Sequence, residues 1–250
     1  MKTLEELVNH LKKYKDTVMI IGPGVQPNTT LDFTVEEFNE NYTRKKFRRE
    51  PEKLWNFYLN KMNKKIDSKD LKAYELLKEI SKDTSIIINQ NINSPIINHE
   101  KEYNLHGSIN DWICPKCKIK YTDNYVFSND TENNQIVEKT CELCGSYIRP
   151  TALFTGEKYN QVILDEIVNK INDTHTLFLI GVDYSEELIL KYISDFGNIA
   201  SFGKEDEKII VVIQRESEDF NPNDLAFCNF LVKDEIEPAL ERFIKEYRKW

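Results

Sequence analysis

The chain lacks the features that would send it to a membrane or onto nucleic acid. No stretch of its 250 residues approaches the run of about eighteen apolar residues that a membrane span requires. The opening segment MKTLEELVNHLKKYKDT has no signal-peptide core; its Leu4, Leu7, Val8 and Leu11 instead share one face of an amphipathic helix. Basic charge is not in excess either. The 34 lysines and arginines are outnumbered by 42 acids, mixed in sign along the chain, and the net charge of −8 gives no field for steering nucleic acid. Such a surface suits a soluble protein of the cytoplasm. No internal repeat or low-complexity tract is evident, and the length suits a main domain carrying a smaller one.

Cysteine is scarce, with five in all, but four are spaced with purpose. Cys114 and Cys117 form one CxxC knuckle, Cys141 and Cys144 a second, with twenty-three residues between the pairs. Two such knuckles complete a tetrahedron around one zinc ion, and a four-sulfur site keeps no open position for a catalytic water. The predicted zinc is therefore structural. Two surface disulfides are the alternative, disfavoured by the reducing compartment in which unpaired thiols and knuckles coexist. Cys228 is left over and reads as an inert buried thiol.

Around this module, apolar runs alternate with helical patterns. TVMIIGPG at Thr17–Gly24 reads as a strand ending in a glycine turn, although no GxGxxG follows. Residues 34–80 carry a basic patch at Arg44–Arg49 and two helical patterns, Leu54, Phe57, Tyr58, Met62 and Leu71, Tyr74, Leu77, Ile80. TSIIINQNIN is a strand with an amide-rich end; after the zinc module come QVILDEIVNKIND as helix, THTLFLIGVD as strand, SEELILKYISDFG as helix, EKIIVVIQRE as strand, and CNFLV before a terminal helix. Strands separated by helices imply right-handed crossovers and a parallel sheet. The predicted fold is α/β, a Rossmann-like parallel sheet domain (1–33, 81–107 and 150–250) beside a small domain made of a helical insertion (34–80) and the zinc module (108–149). Ligands then gather at the sheet's carboxyl edge, at Gly22–Gly24, Gln90–Asn93, Gly181–Asp183 and Gln214.

In this order the motifs resemble the sirtuin family, the NAD-dependent protein lysine deacylases. The family's GAG turn is similar to Gly22, Pro23, Gly24, and its DFR to Asp32, Phe33, Thr34; its PEKLWNFY-like helix resembles Pro51–Tyr58. TQNID resembles Asn89–Asn93, HG matches His106 and Gly107, and the knuckles follow. The later GG-x-x-RPD-x-V-x-FGE looks like Gly145 through Arg149, Pro150, Gly156 and Glu157; GTS looks like Gly181, Val182, Asp183, and the IN strand end like Ile213, Gln214. The resemblance implies NAD as co-substrate and an acyl-lysine protein or peptide as partner, with nicotinamide and O-acyl-ADP-ribose among the products of a transferase chemistry. It places Asn91 on the ribose, His106 as general base, and Gly22, Pro23, Gly24, Asp32, Phe33, Gln90, Asn93, Gly181, Val182, Asp183 and Gln214 around the nucleotide. Gly156 and Glu157 would border the peptide.

The departures cluster in the nucleotide pocket. Pro23 has no N–H to offer a phosphate. Thr34 stands where the family has arginine, and Asn93 replaces an aspartate. Asp183 adds negative charge near an anionic ligand, and SPIINH, with His99, replaces the family's GLH. The alternatives are a degenerate homologue that binds NAD, ADP-ribose or a protein partner without turnover, and an NAD hydrolase or ADP-ribosyltransferase using the same cleft.

Overall fold

The computed structural model of the chain describes residues 3–25, 35–62, 68–95, 97, 100–121, 139–202, 208–215 and 228–249. Asp32, Phe33, Thr34, His99, the side chain of Cys228 and most of the insert after Tyr121 lie outside them.

Six strands form the large sheet: β1 (Thr17–Ile21), β2 (Ile86–Asn89), β3 (Glu102–Asn104), β7 (Thr176–Ile180), β8 (Ile209–Gln214) and β9 (Cys228–Lys233). Their spatial order is β3-β2-β1-β7-β8-β9, and every pairing is parallel. The order reverses between β1 and β7, the switch point at which Rossmann-like sheets open a ligand crevice. Apolar runs rather than alternating ones form these strands because both faces are covered. Met19, Ile21, Ile87, Phe178, Ile180, Val211 and Ile213 meet helices α1 (Leu4–Lys13), α5 (Ser68–Ile80) and α8 (Ile236–Arg248) on one side. On the other, Val18, Ile20, Ile86, Ile88, Leu177, Leu179, Ile210 and Val212 meet α6 (Gln161–Asp173) and α7 (Glu187–Phe202). Burying each such side chain contributes about 1.5–3 kcal/mol.

The small unit has its own core. Strands β4 (Trp112–Ile113), β5 (Lys120–Tyr121) and β6 (Arg149–Pro150) form an antiparallel sheet in the order β5-β4-β6. Against it pack helices α2 (Val35–Asn41), α3 (Arg44–Arg49) and α4 (Pro51–Phe57), the last running on into a π-helical turn at Tyr58–Met62. Trp55 stacks on Trp112 at 4.9 Å and donates through Nε1 to the Ile148 carbonyl at 3.2 Å. Helix α5 behaves differently from the rest of the 34–80 segment: Ala73, Tyr74 and Leu77 join the core of the large sheet, and Leu71 is 41% exposed. Its buried stripe is shifted because it follows the sheet rather than the small core.

Among the described residues no helix is long and apolar enough to cross a membrane.

Candidate functional site

The two knuckles adopt the same local geometry. Lys118 N–H donates to the Cys114 carbonyl (2.9 Å) and Gly145 N–H to that of Cys141 (2.8 Å), and both Lys118 and Gly145 take positive φ, 64° and 67°. All four sulfurs lie within 4.8 Å of one another, and Cys114 and Cys144 are 3.7 Å apart. A zinc tetrahedron with bonds near 2.3 Å has edges of about 3.8 Å, so the donor set fits a structural zinc. The Tyr121 hydroxyl, 3.0 Å from Cys141 Sγ, holds that thiol low. Ser146 pushes Cys144 down to about 6, while the hydrogen bond with Cys144 pushes Cys117 up to about 12.

A cleft of about 610 Å³ separates the small unit from the carboxyl edge of the large sheet. Its polar wall comes from the sheet: Gln90, Asn91 and Asn93 after β2, His106 after β3, and Asp183 and Glu186 after β7. The opposite wall is mostly apolar, with Phe38 from α2 and Leu153 and Phe154 from the loop after β6.

His106 reaches the cleft because backbone pairing carries it there. Leu105 N–H donates to the Asn89 carbonyl (2.9 Å), extending the β2–β3 ladder, and the His106 carbonyl accepts from Leu153 N–H (2.8 Å). The next residue must be glycine: Gly107 has φ +73°, and a Cβ there would stand 2.3 Å from the Thr151 carbonyl. The imidazole Nδ1 lies 2.8 Å from the Gln90 carbonyl and Nε2 3.0 Å from Glu186 Oε1. Burial pulls the His106 pKa down; the Glu186 hydrogen bond and charge, the Gln90 carbonyl and the Asp183 charge outweigh it and leave the pKa raised.

Asn91 commits its Nδ2 to the Gly22 carbonyl (2.9 Å) and the Tyr74 hydroxyl (3.2 Å), while among the described residues no donor reaches its Oδ1. The Nδ2 of Asn93 is buried with no partner. A buried donor left unpaired costs about 1–3 kcal/mol, and a ligand acceptor in the cleft would relieve it. The Glu157 carboxylate accepts from Arg149 Nη2 (2.9 Å) and from Phe154 N–H (2.8 Å), which fixes the cleft wall beside Gly156.

Of the nucleotide-binding candidates, Pro23, Gln90, Asn91, Asn93 and Asp183 line this cleft, as do His106, Gly156 and Glu157. Val182 packs into the core beneath α6 and α7, 3% exposed, and Gln214 ends β8 farther along the edge. Gly22 and Gly24 pack against Gly181: a Cβ on Gly22 would lie 2.3 Å from the Gly181 oxygen, and one on Gly24 2.8 Å from the Gly181 Cα. This close crossing of the two turns accounts for the glycines without a ligand.

Six lining residues have no counterpart among the sequence candidates: the apolar Phe38, Ile92, Leu153 and Phe154, and the polar Glu186 and Tyr159. Glu186 begins a helical pattern and reads as an ordinary acid at a helix amino end; an acid just past the turn at the sheet's carboxyl edge was the available signal. Tyr159, two residues past Glu157, carries no signal of its own. The described walls hold no lysine or arginine.

This arrangement defines a dinucleotide-type α/β protein with a four-thiolate module beside its crevice. The Sir2 family profile matches residues 29–185, well over half of the chain, and the chain belongs to that family. It is 26% identical over 140 residues to an NAD-dependent protein deacetylase of Staphylococcus epidermidis, covering 56% of this chain and 49% of that protein. To the Thermotoga maritima protein of the same description it is 25% identical over 189 residues, 71% of this chain and 76% of that one. The chain thus spans about half the length of the first of these relatives. A solved complex of a Sir2 homolog with NAD superimposes with a TM-score of 0.72 at 18% identity, over 98% of this chain and 94% of that one.

Proposed function

We propose that the cleft binds NAD and that the chain removes acyl groups from lysine side chains of proteins, with NAD as co-substrate and nicotinamide and O-acyl-ADP-ribose as products. The observation that carries this is the convergence of an imidazole, the Asn91 Oδ1 that no donor among the described residues reaches, and the buried, unpartnered Asn93 Nδ2 on one space at the switch point. When bound, NAD supplies an anomeric carbon from which nicotinamide departs. Asn91 Oδ1 suits a ribose hydroxyl, and the Asn93 amide suits an acceptor on the pyridine side. His106 accepts a ribose hydroxyl proton once its ring is neutral, a role that contributes about 10²–10⁴-fold in general-base catalysis. Phe38, Leu153 and Phe154 keep water from that side, and the Arg149–Glu157 pair holds the edge along which an acyl-lysine peptide would lie. Thiolate knuckles fit a reducing, cytoplasmic setting.

A second reading has its own support. Pro23 offers no amide donor, and no lysine or arginine lies on the described walls to meet a pyrophosphate. These features favour a homologue that binds nucleotide or a protein partner without turnover.

The test incubates the zinc-loaded chain with NAD and acyl-lysine peptides of increasing chain length, following nicotinamide. Release that requires peptide and falls at least about 100-fold in His106→Ala supports deacylation. Release without peptide assigns hydrolysis, or transfer if ADP-ribose is found on protein. No release with any acyl chain, together with thermal stabilisation by NAD, supports the second reading.

A further inference from the structure

We propose that Glu186 is a positioning residue of the cleft, stabilising the imidazolium form of His106 and thereby raising the pH above which the ring can act as a base. The base role rests on the function proposed above; the charge state of the ring does not.

The hydrogen-bond partners favour this charge state. Gln90 Oε1 accepts from Asp183 N–H at 3.1 Å, which fixes the orientation of its amide and turns Nε2 toward Glu186 Oε2 at 2.8 Å. The Tyr159 hydroxyl donates to Glu186 Oε1 at 2.6 Å. Both carboxylate oxygens are thus occupied by donors, the pattern of an ionised acid. Burial pushes the Glu186 pKa up, but the hydrogen bonds from His106 and Tyr159, with the His106 charge, leave it lowered. On the ring, Nδ1 faces a carbonyl, which only accepts, and Nε2 faces the carboxylate. The Tyr159 oxygen also lies 3.3 Å from Nε2, but its single proton goes to Glu186 Oε1 at 2.6 Å, so both ring nitrogens face acceptors and are best served by two N–H donors. The side chains of His106 and Glu186 are 29% and 15% exposed, so water screens the pair only in part. The Glu186 carbonyl accepts from Leu190 N–H (3.1 Å), which sets this acid at the amino end of α7, where the helix dipole favours the ionised form.

Among the described residues, the other ionisable groups facing the pair are Asp183 on the same loop and Tyr159 ahead of α6, with Tyr192 on α7 behind them. Asp183 adds to the stabilisation of the cation, and both tyrosines are raised and neutral at cellular pH. To accept a hydroxyl proton the ring must first release its Nε2 proton to water. Activity therefore rises with pH through the His106 transition, and that transition lies above the ordinary histidine value.

The experiment follows the His106 ring by NMR in the zinc-loaded full chain, assigning its signal by its absence in His106→Ala. The pH profile of nicotinamide release is measured in parallel. The wild-type transition is expected above about 6.5 and is expected to fall by about one unit or more in Glu186→Gln, with the acid limb of activity moving alongside. Tyr159→Phe keeps the carboxylate and is expected to keep the raised transition. Glu186→Ala repeats the test should the glutamine variant not fold. A wild-type transition at or below 6.5, or one unmoved in a folded Glu186 variant, overturns the proposal. If no nicotinamide is released, the proposed function fails while the ring titration still decides this one.

Discussion

The large sheet spreads its stability over two broad apolar faces, whereas the small unit rests on a four-sulfur cluster and a compact group of aromatic rings around Trp55, Trp112, Tyr42 and Phe154. In the sheet, Val18, Ile20, Leu177, Leu179 and Val212 are all fully buried, and removal of any one leaves the others in place. In the small unit the strands are two residues long, and Cys114, Cys141, Trp55 and Trp112 are at the centre of its core. The cleft lies between a broad sheet edge and a wall built around a four-sulfur cluster that fits a zinc ion. Geometry on the His106 side should therefore outlast geometry on the Phe154 side.

The largest expected effect breaks this contrast open. Chelation of the metal, or Cys141→Ser, removes zinc binding worth on the order of 10 kcal/mol. The emission of Trp55 and Trp112 is expected to shift to the red while the far-ultraviolet signal of the sheet largely persists; loss of both signals together would contradict the division. Next, Trp55→Ala is expected to cost the small unit about 3–5 kcal/mol, read as a lower thermal midpoint with Leu179 and its neighbours unaffected. Leu179→Ala is expected to cost about 2–5 kcal/mol and to lower the denaturant midpoint of the sheet with zinc content unchanged. The smallest effect belongs to Thr3→Ala. Thr3 and Glu6 form a capping box on α1, and its loss is expected to cost about 1 kcal/mol without touching cleft or metal.

The same contrast governs what could be read from the sequence. TVMII, IIIN, TLFLI and IIVVIQ announced strands, and QVILDEIVNKIND is a helix over its whole length, because local pattern and burial agree there. The knuckles were legible because zinc dictates spacing. Sites built by contact between distant segments were not. Glu186 meets His106 across 80 residues of chain, and no periodicity records that meeting. The Gly22–Gly181 crossing was likewise invisible, so the packing reason for these glycines could not be read from the turn itself. In α5 the pattern of Leu71, Tyr74, Leu77 and Ile80 marked a helix but not its partner, and Ala73 proved to face the core where Leu71 does not.

The central claim is that the crevice between these two units is a nucleotide site turned toward His106. A crystal structure of the zinc-loaded chain grown with saturating ADP-ribose tests it most directly. The account predicts a ribose within hydrogen-bonding distance of Asn91 Oδ1, with the His106 ring at its edge. Nucleotide bound elsewhere, or a crevice that stays empty at saturation, would contradict it.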